Sequence, residues 1–111
     1  MKVKVMMWSS GSAPDILGSG FVDVGTLGGV RVFTCQSRTE VIGKNEKGEY
    51  DTGPSSYVQF NPPEIVRMGA HGREFAEPYA VVHPETFAKL DKKELASELQ
   101  DFVIGIRRQL R

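Results

Sequence analysis

Apolar residues recur at every second position in short runs such as 3–7 and 30–34, and at every third or fourth position in the last quarter of the chain. Val3, Val5 and Met7 alternate with Lys2, Lys4 and Met6, the period of a half-buried strand. Ser9-Ser10-Gly11-Ser12-Ala13-Pro14-Asp15 carries turn chemistry. Phe21–Val24 and Val30–Cys35 read as second and third strands, and the glycine-bearing Gly25-Thr26-Leu27-Gly28-Gly29 between them predicts a hairpin. On the third strand Val30, Val32 and Thr34 face one way, and Arg31, Phe33 and Cys35 the other.

Asn45-Glu46-Lys47-Gly48 is a tight-turn signal between Val41-Ile42 and Glu49-Tyr50, so a second, more exposed hairpin arm is expected over Thr39–Tyr50. Ser56–Phe60 forms a further short strand, stopped at Asn61-Pro62-Pro63 because proline supplies no ladder donor. Residues 64–74 read as a loop around Met68–Arg73. The last strand runs Phe75–Val82, with Pro78 confining its first half to an edge or bulge.

From His83 the period changes. Pro84 suits a first helical turn, with Phe87 and Leu90 on its apolar side. Asp91, three residues before Glu94, resembles a helix cap, and Leu95, Leu99, Phe102, Val103, Ile106 and Leu110 form a stripe that should lie on the sheet. Strands first and helix last indicate an α+β fold: an antiparallel sheet of about five strands packed against a C-terminal helix. One domain is expected over 1–111, with the sheet in 1–82 and the helical segment in 83–111.

Composition narrows the function classes. Cys35 is the single cysteine, so neither an internal disulfide nor a Cys-x-x-Cys zinc pair is available. The N-terminal residues lack the apolar run of a signal peptide, and no stretch approaches the roughly 20 apolar residues of a membrane span. A cytoplasmic protein without membrane contact is expected. Fourteen basic residues balance fourteen acidic ones. That neutrality argues against a purely charge-driven nucleic-acid binder but leaves room for a local basic patch.

No enzyme site emerges. His83 precedes Pro84 at a strand-to-helix junction, where capping is the simpler role, and His71 sits in a Gly-Ala-His-Gly loop. Neither has a nucleophile at a family-specific spacing, and His71, His83 and Cys35 are too scattered for a metal set. The glycines match no phosphate-binding loop, so no cofactor is expected.

The basic residues offer more. Arg67, His71 and Arg73 share one loop, Lys44 and Lys47 mark the hairpin tip, and Arg107, Arg108 and Arg111 end the helix. Cations at a helix C-terminus are favoured by the helix dipole alone. Brought together, the loop and the helix end would form a phosphate-contacting edge. Tyr50, Tyr57 and Tyr79 are candidates for stacking beside it, with Phe21, Phe33, Phe75 and Phe87 assigned to the core.

The order of these segments resembles the SpoVG family of small bacterial and phage DNA- or RNA-binding regulators. The segments that carry the resemblance are Val3–Met7, Gly20-Phe21-Val22-Asp23-Val24, Gly29-Val30-Arg31-Val32-Phe33, Tyr57-Val58-Gln59-Phe60-Asn61-Pro62, Gly72-Arg73-Glu74-Phe75 and Ala80-Val81-Val82-His83-Pro84. Residues 36–55 look like an insertion relative to that family, and Ser56-Tyr57-Val58 departs from its usual strand. The resemblance implies a homodimer built by sheet extension, with nucleic acid met by basic residues near the helix end, where Arg107, Arg108 and Arg111 stand. Val82-His83-Pro84-Glu85-Thr86-Phe87 through Leu90 is also similar to a junction in single-stranded-DNA-binding transcription coactivators. The expectation is therefore a non-enzymatic nucleic-acid-binding regulator. The alternative is a protein-interaction module, such as a phage or host accessory protein, acting through a sheet edge or the Trp8 side.

Overall fold

The computed structural model describes the backbone of residues 2–7, 20–61, 65–69, 72–75 and 78–109, and the side chains of 2–7, 20–61 and 78–105. Among these residues the elements run β1 (Val5–Met7), β2 (Phe21–Leu27), β3 (Val30–Cys35), β4 (Thr39–Lys44), β5 (Tyr50–Pro54), β6 (Val58–Asn61), β7 (Ile65–Gly69), β8 (Gly72–Phe75), β9 (Tyr79–Val82), α1 (Pro84–Lys89) and α2 (Lys92–Gln109). The α+β class holds, with a five-stranded sheet in the order β1-β6-β9-β3-β2. Two further hairpins, β4–β5 and β7–β8, form small sheets of their own.

The main sheet is mixed rather than antiparallel. β1 runs parallel to β6 and β3 parallel to β9, whereas β6–β9 and β2–β3 are antiparallel. Side-chain alternation reports which face is buried and says nothing of a neighbour's direction. Here the β4–β5 and β7–β8 hairpins interrupt the chain between main-sheet strands, so consecutive core strands need not be partners. Residues 64–74, expected as a loop, contain the β7–β8 hairpin, because the apolar run from Ile65 does not alternate. Phe75 accordingly ends β8, and β9 begins beyond Pro78 at Tyr79. The turn expected at 9–15 lies outside the described residues.

The β2–β3 hairpin closes more tightly than expected. Gly28 (φ 60°) and Gly29 (φ 81°) both take positive φ, the signature of a two-residue turn whose twist matches its strands. A Cβ on Gly28 would lie 2.1 Å from the carbonyl oxygen of Ala96, so this turn sits directly against α2.

Val30, Val32, Val58, Phe60, Ala80 and Val82 share the sheet face that meets Leu90, Leu95 and Leu99, all buried. Phe102 and Val103 extend the helical stripe, and the Phe102 ring lies 5.3 Å from that of Phe60. Burial of each such side chain contributes roughly 1.5–3 kcal/mol. The opposite face is not simply solvated: Phe33, Gln59 and Val81, on neighbouring strands, are also buried. That explains why Ala80-Val81-Val82 reads as continuous apolar sequence.

The C-terminal segment is two helices. His83 caps α1, its Nδ1 accepting from the Glu85 N–H at 3.1 Å. The chain extends at Leu90, and Asp91 then caps α2 by accepting from the N–H groups of Lys93 at 2.8 Å and Glu94 at 3.1 Å. Lys92 Nζ donates to the carbonyls of the C-cap residue Leu90, at 2.8 Å, and of Phe87 in α1, completing the corner. The buried Thr86 hydroxyl donates to the Ser55 carbonyl at 2.6 Å, tying α1 to the segment that enters β6.

Candidate nucleic-acid interface

The two small hairpins carry most of the basic residues singled out in the sequence, and they differ in kind. In β4–β5 the register runs from Thr39 opposite Pro54 to Lys44 opposite Tyr50. Asn45 shapes the tip: its side-chain oxygen accepts from the N–H groups of Lys47 and Glu49, each at 2.9 Å. This is the local bonding that makes asparagine a turn residue. Lys44 and Lys47 are both exposed here. Lys44 Nζ lies 5.0 Å from the centre of the Tyr50 ring, within cation–π range. Their surroundings are acidic, because Glu40, Glu46, Glu49 and Asp51 outnumber the two lysines between 39 and 54.

In β7–β8, Arg67 stands opposite Glu74 and Met68 opposite Arg73. The two arginines therefore occupy adjoining rungs of one two-stranded ribbon, closed by Gly69 opposite Gly72, and the alternation of a strand gives each of its two faces one of them. Between 65 and 75 the sequence holds a single carboxylate, Glu74, against these two arginines. Arg107 and Arg108 lie in the last turn of α2, where the helix dipole favours cations. Arg111, His71 and Trp8 lie outside the described residues.

The expected stacking residues divide. Tyr50 is 67% exposed, but it belongs to the acidic arm. Tyr57 and Tyr79 are half-buried, and Tyr79 meets the buried Phe33 edge-on at 6.3 Å. Phe33 lies in the interior as expected, and Phe21 and Phe87 are half-buried beneath Arg38 and Lys92 respectively.

A further charged pair, Asp23 with Arg31, was not legible in the sequence. The Arg31 guanidinium donates to the Asp23 carboxylate at 2.7 Å and stands 5.3 Å from the centre of the Phe33 ring. That hydrogen bond, seconded by the Gly25 N–H, holds the Asp23 carboxyl below its ordinary range. Asp23 stands opposite Phe33, so Arg31 is its diagonal neighbour across the strand pair, within reach of a long side chain. The pairing engages Arg31 on the sheet itself.

Set against known proteins, the chain matches no family model, no curated protein and no solved structure. The chemistry must be read from the placement of its own residues. Among the described residues no group of three or more His, Cys, Asp or Glu could hold a metal ion. No described helix is long and apolar enough to cross a membrane.

Proposed function

We propose that this protein is a non-enzymatic nucleic-acid-binding regulator, a cytoplasmic homodimer that holds DNA or RNA through phosphate contacts. The observation that carries the reading is the placement of Arg67 and Arg73 on adjoining rungs of the β7–β8 ribbon. A two-stranded ribbon is one of the few elements that fit a DNA major groove, and arginine is the side chain suited to phosphate. Arg107 and Arg108 in the last turn of α2, followed in sequence by Arg111, supply a second basic cluster. The likeness of segment order to the SpoVG regulators points the same way. Lys44 and Lys47 contribute less, because the carboxylates around them oppose a polyanion.

The test is a titration with short single-stranded and duplex oligonucleotides at low and moderate salt. Affinity should fall steeply with salt, and replacing Arg107 and Arg108 with alanine should lower the log–log slope by about two. Absence of binding at low salt refutes the proposal.

A second reading, a protein-interaction module, draws on the β4–β5 arm. Val41, Ile42 and Tyr50 are 59%, 67% and 67% exposed there, and a hairpin with two open edges is a template for another chain.

A further inference from the structure

The β4–β5 arm is apolar in the wrong place for a solvated hairpin. An isolated two-stranded hairpin is marginal in water and needs packing against something else. This one leaves Val41, Ile42 and Tyr50 more than half exposed, and β4 and β5 pair only with each other among the described strands. Its charge is one-sided as well, with four carboxylates (Glu40, Glu46, Glu49, Asp51) against two lysines.

The complementary surface lies on the same molecule. β1 is an edge strand of the main sheet, paired only with β6 among the described strands. Met6 and Met7 are 48% and 52% exposed on it, and Lys2 and Lys4 are exposed just before it. No acidic residue occurs before Asp15. Among the described residues, an acidic, apolar hairpin and a basic, apolar sheet edge thus occur on one chain.

We infer that the β4–β5 arm docks on the β1 edge of a second copy of this chain, its Val41, Ile42 and Tyr50 side chains covering Met6 and Met7 and its exposed carboxylates, Glu46, Glu49 and Asp51, facing Lys2 and Lys4. Reciprocal docking about a twofold axis satisfies both surfaces of both protomers at once and closes the assembly. The arm interrupts the chain between two core strands, β3 and β6, and contributes none of its side chains to the core cluster. Intermolecular packing gives those side chains the cover their own fold does not. The inference rests on the homodimer part of the proposed function and is independent of whether nucleic acid binds.

Sedimentation velocity of the 111-residue chain over about a hundredfold range of concentration tests this. Circular dichroism confirms that each variant is folded, which the exposure of every substituted residue favours. The wild type should dimerise. Reversing the arm (Glu46→Lys, Glu49→Lys, Asp51→Lys) or the edge (Lys2→Glu, Lys4→Glu) should each weaken the dimer at least about tenfold, and combining the two reversals in one chain should restore most of it. Ile42→Ser with Tyr50→Ser should weaken it without a charge change. A wild type that stays monomeric overturns the inference. So does a dimer indifferent to these changes, or one that the combined reversal fails to rescue. Oligonucleotide binding measured on the same variants separates failure of the docking mode from failure of the nucleic-acid reading.

Discussion

The helix–sheet core and the β4–β5 arm use the same vocabulary of β-branched and aromatic residues, with opposite results. In the core, Val30, Val32, Val58, Phe60, Leu95 and Leu99 have no exposed surface, whereas Val41 and Ile42 on the arm are 59% and 67% exposed. Both regions are built from twisted, hydrogen-bonded strands. The difference is a second layer: the α2 side chains Leu95 and Leu99 cover one face of the five-stranded sheet, whereas Val41, Ile42 and Tyr50 on the arm stay more than half exposed. Apolar patterning sets which faces seek cover, and a partner layer decides whether they find it within one chain.

That contrast predicts a graded series of stability changes. Leu99→Ala removes a fully buried side chain from the centre of the α2 stripe and should cost about 2–5 kcal/mol in urea unfolding. A loss below about 1 kcal/mol would mean that α2 does not seal the sheet. Gly28→Ala should cost about 2–4 kcal/mol, combining a positive φ of 60° with a Cβ placed 2.1 Å from the Ala96 carbonyl oxygen. Retention of wild-type stability would show that the turn does not touch the helix.

Asp91→Ala should cost about 1 kcal/mol, because two N–H groups in the first turn of α2 lose their acceptor. Asp91→Asn should recover most of that loss. At the low end, Ile42→Ser should change monomer stability by less than about 0.5 kcal/mol, measured at a concentration too low for association. A loss on the scale of Leu99→Ala would erase the distinction between arm and core.

How far the sequence foretold all this depends on the range of the interaction. Local signals were legible. Gly28-Gly29 marked a hairpin, Asn45–Gly48 marked the arm tip, His83 and Asp91 marked helix starts, and the Leu95-Leu99-Phe102-Val103 spacing marked the buried stripe. Non-local facts were not. The parallel pairing of β3 with β9 joins residues separated by two intervening hairpins, and nothing in the alternation of Val30–Cys35 encodes it. The β7–β8 ribbon was hidden because Ile65-Val66-Arg67-Met68 lacks a period of two. The Asp23–Arg31 pair is a diagonal contact that follows from the register of β2 on β3, which the sequence alone does not fix.

The basic residues show the same limit. Their clustering in sequence was plain, but whether a cluster sits on a ribbon or on an acidic arm is a matter of register and neighbours. Arg67 and Arg73 became adjoining positions only when the ribbon formed, and Lys44 and Lys47 remained among carboxylates.

The most direct test of the proposed function is the salt dependence of oligonucleotide binding, compared between two double variants. Arg67→Ala with Arg73→Ala should weaken binding and lower the log–log salt slope by about two, while Lys44→Ala with Lys47→Ala should leave the slope close to that of the wild type. A ribbon variant that binds with the full wild-type slope, or a wild type that binds no oligonucleotide even at low salt, would contradict the account.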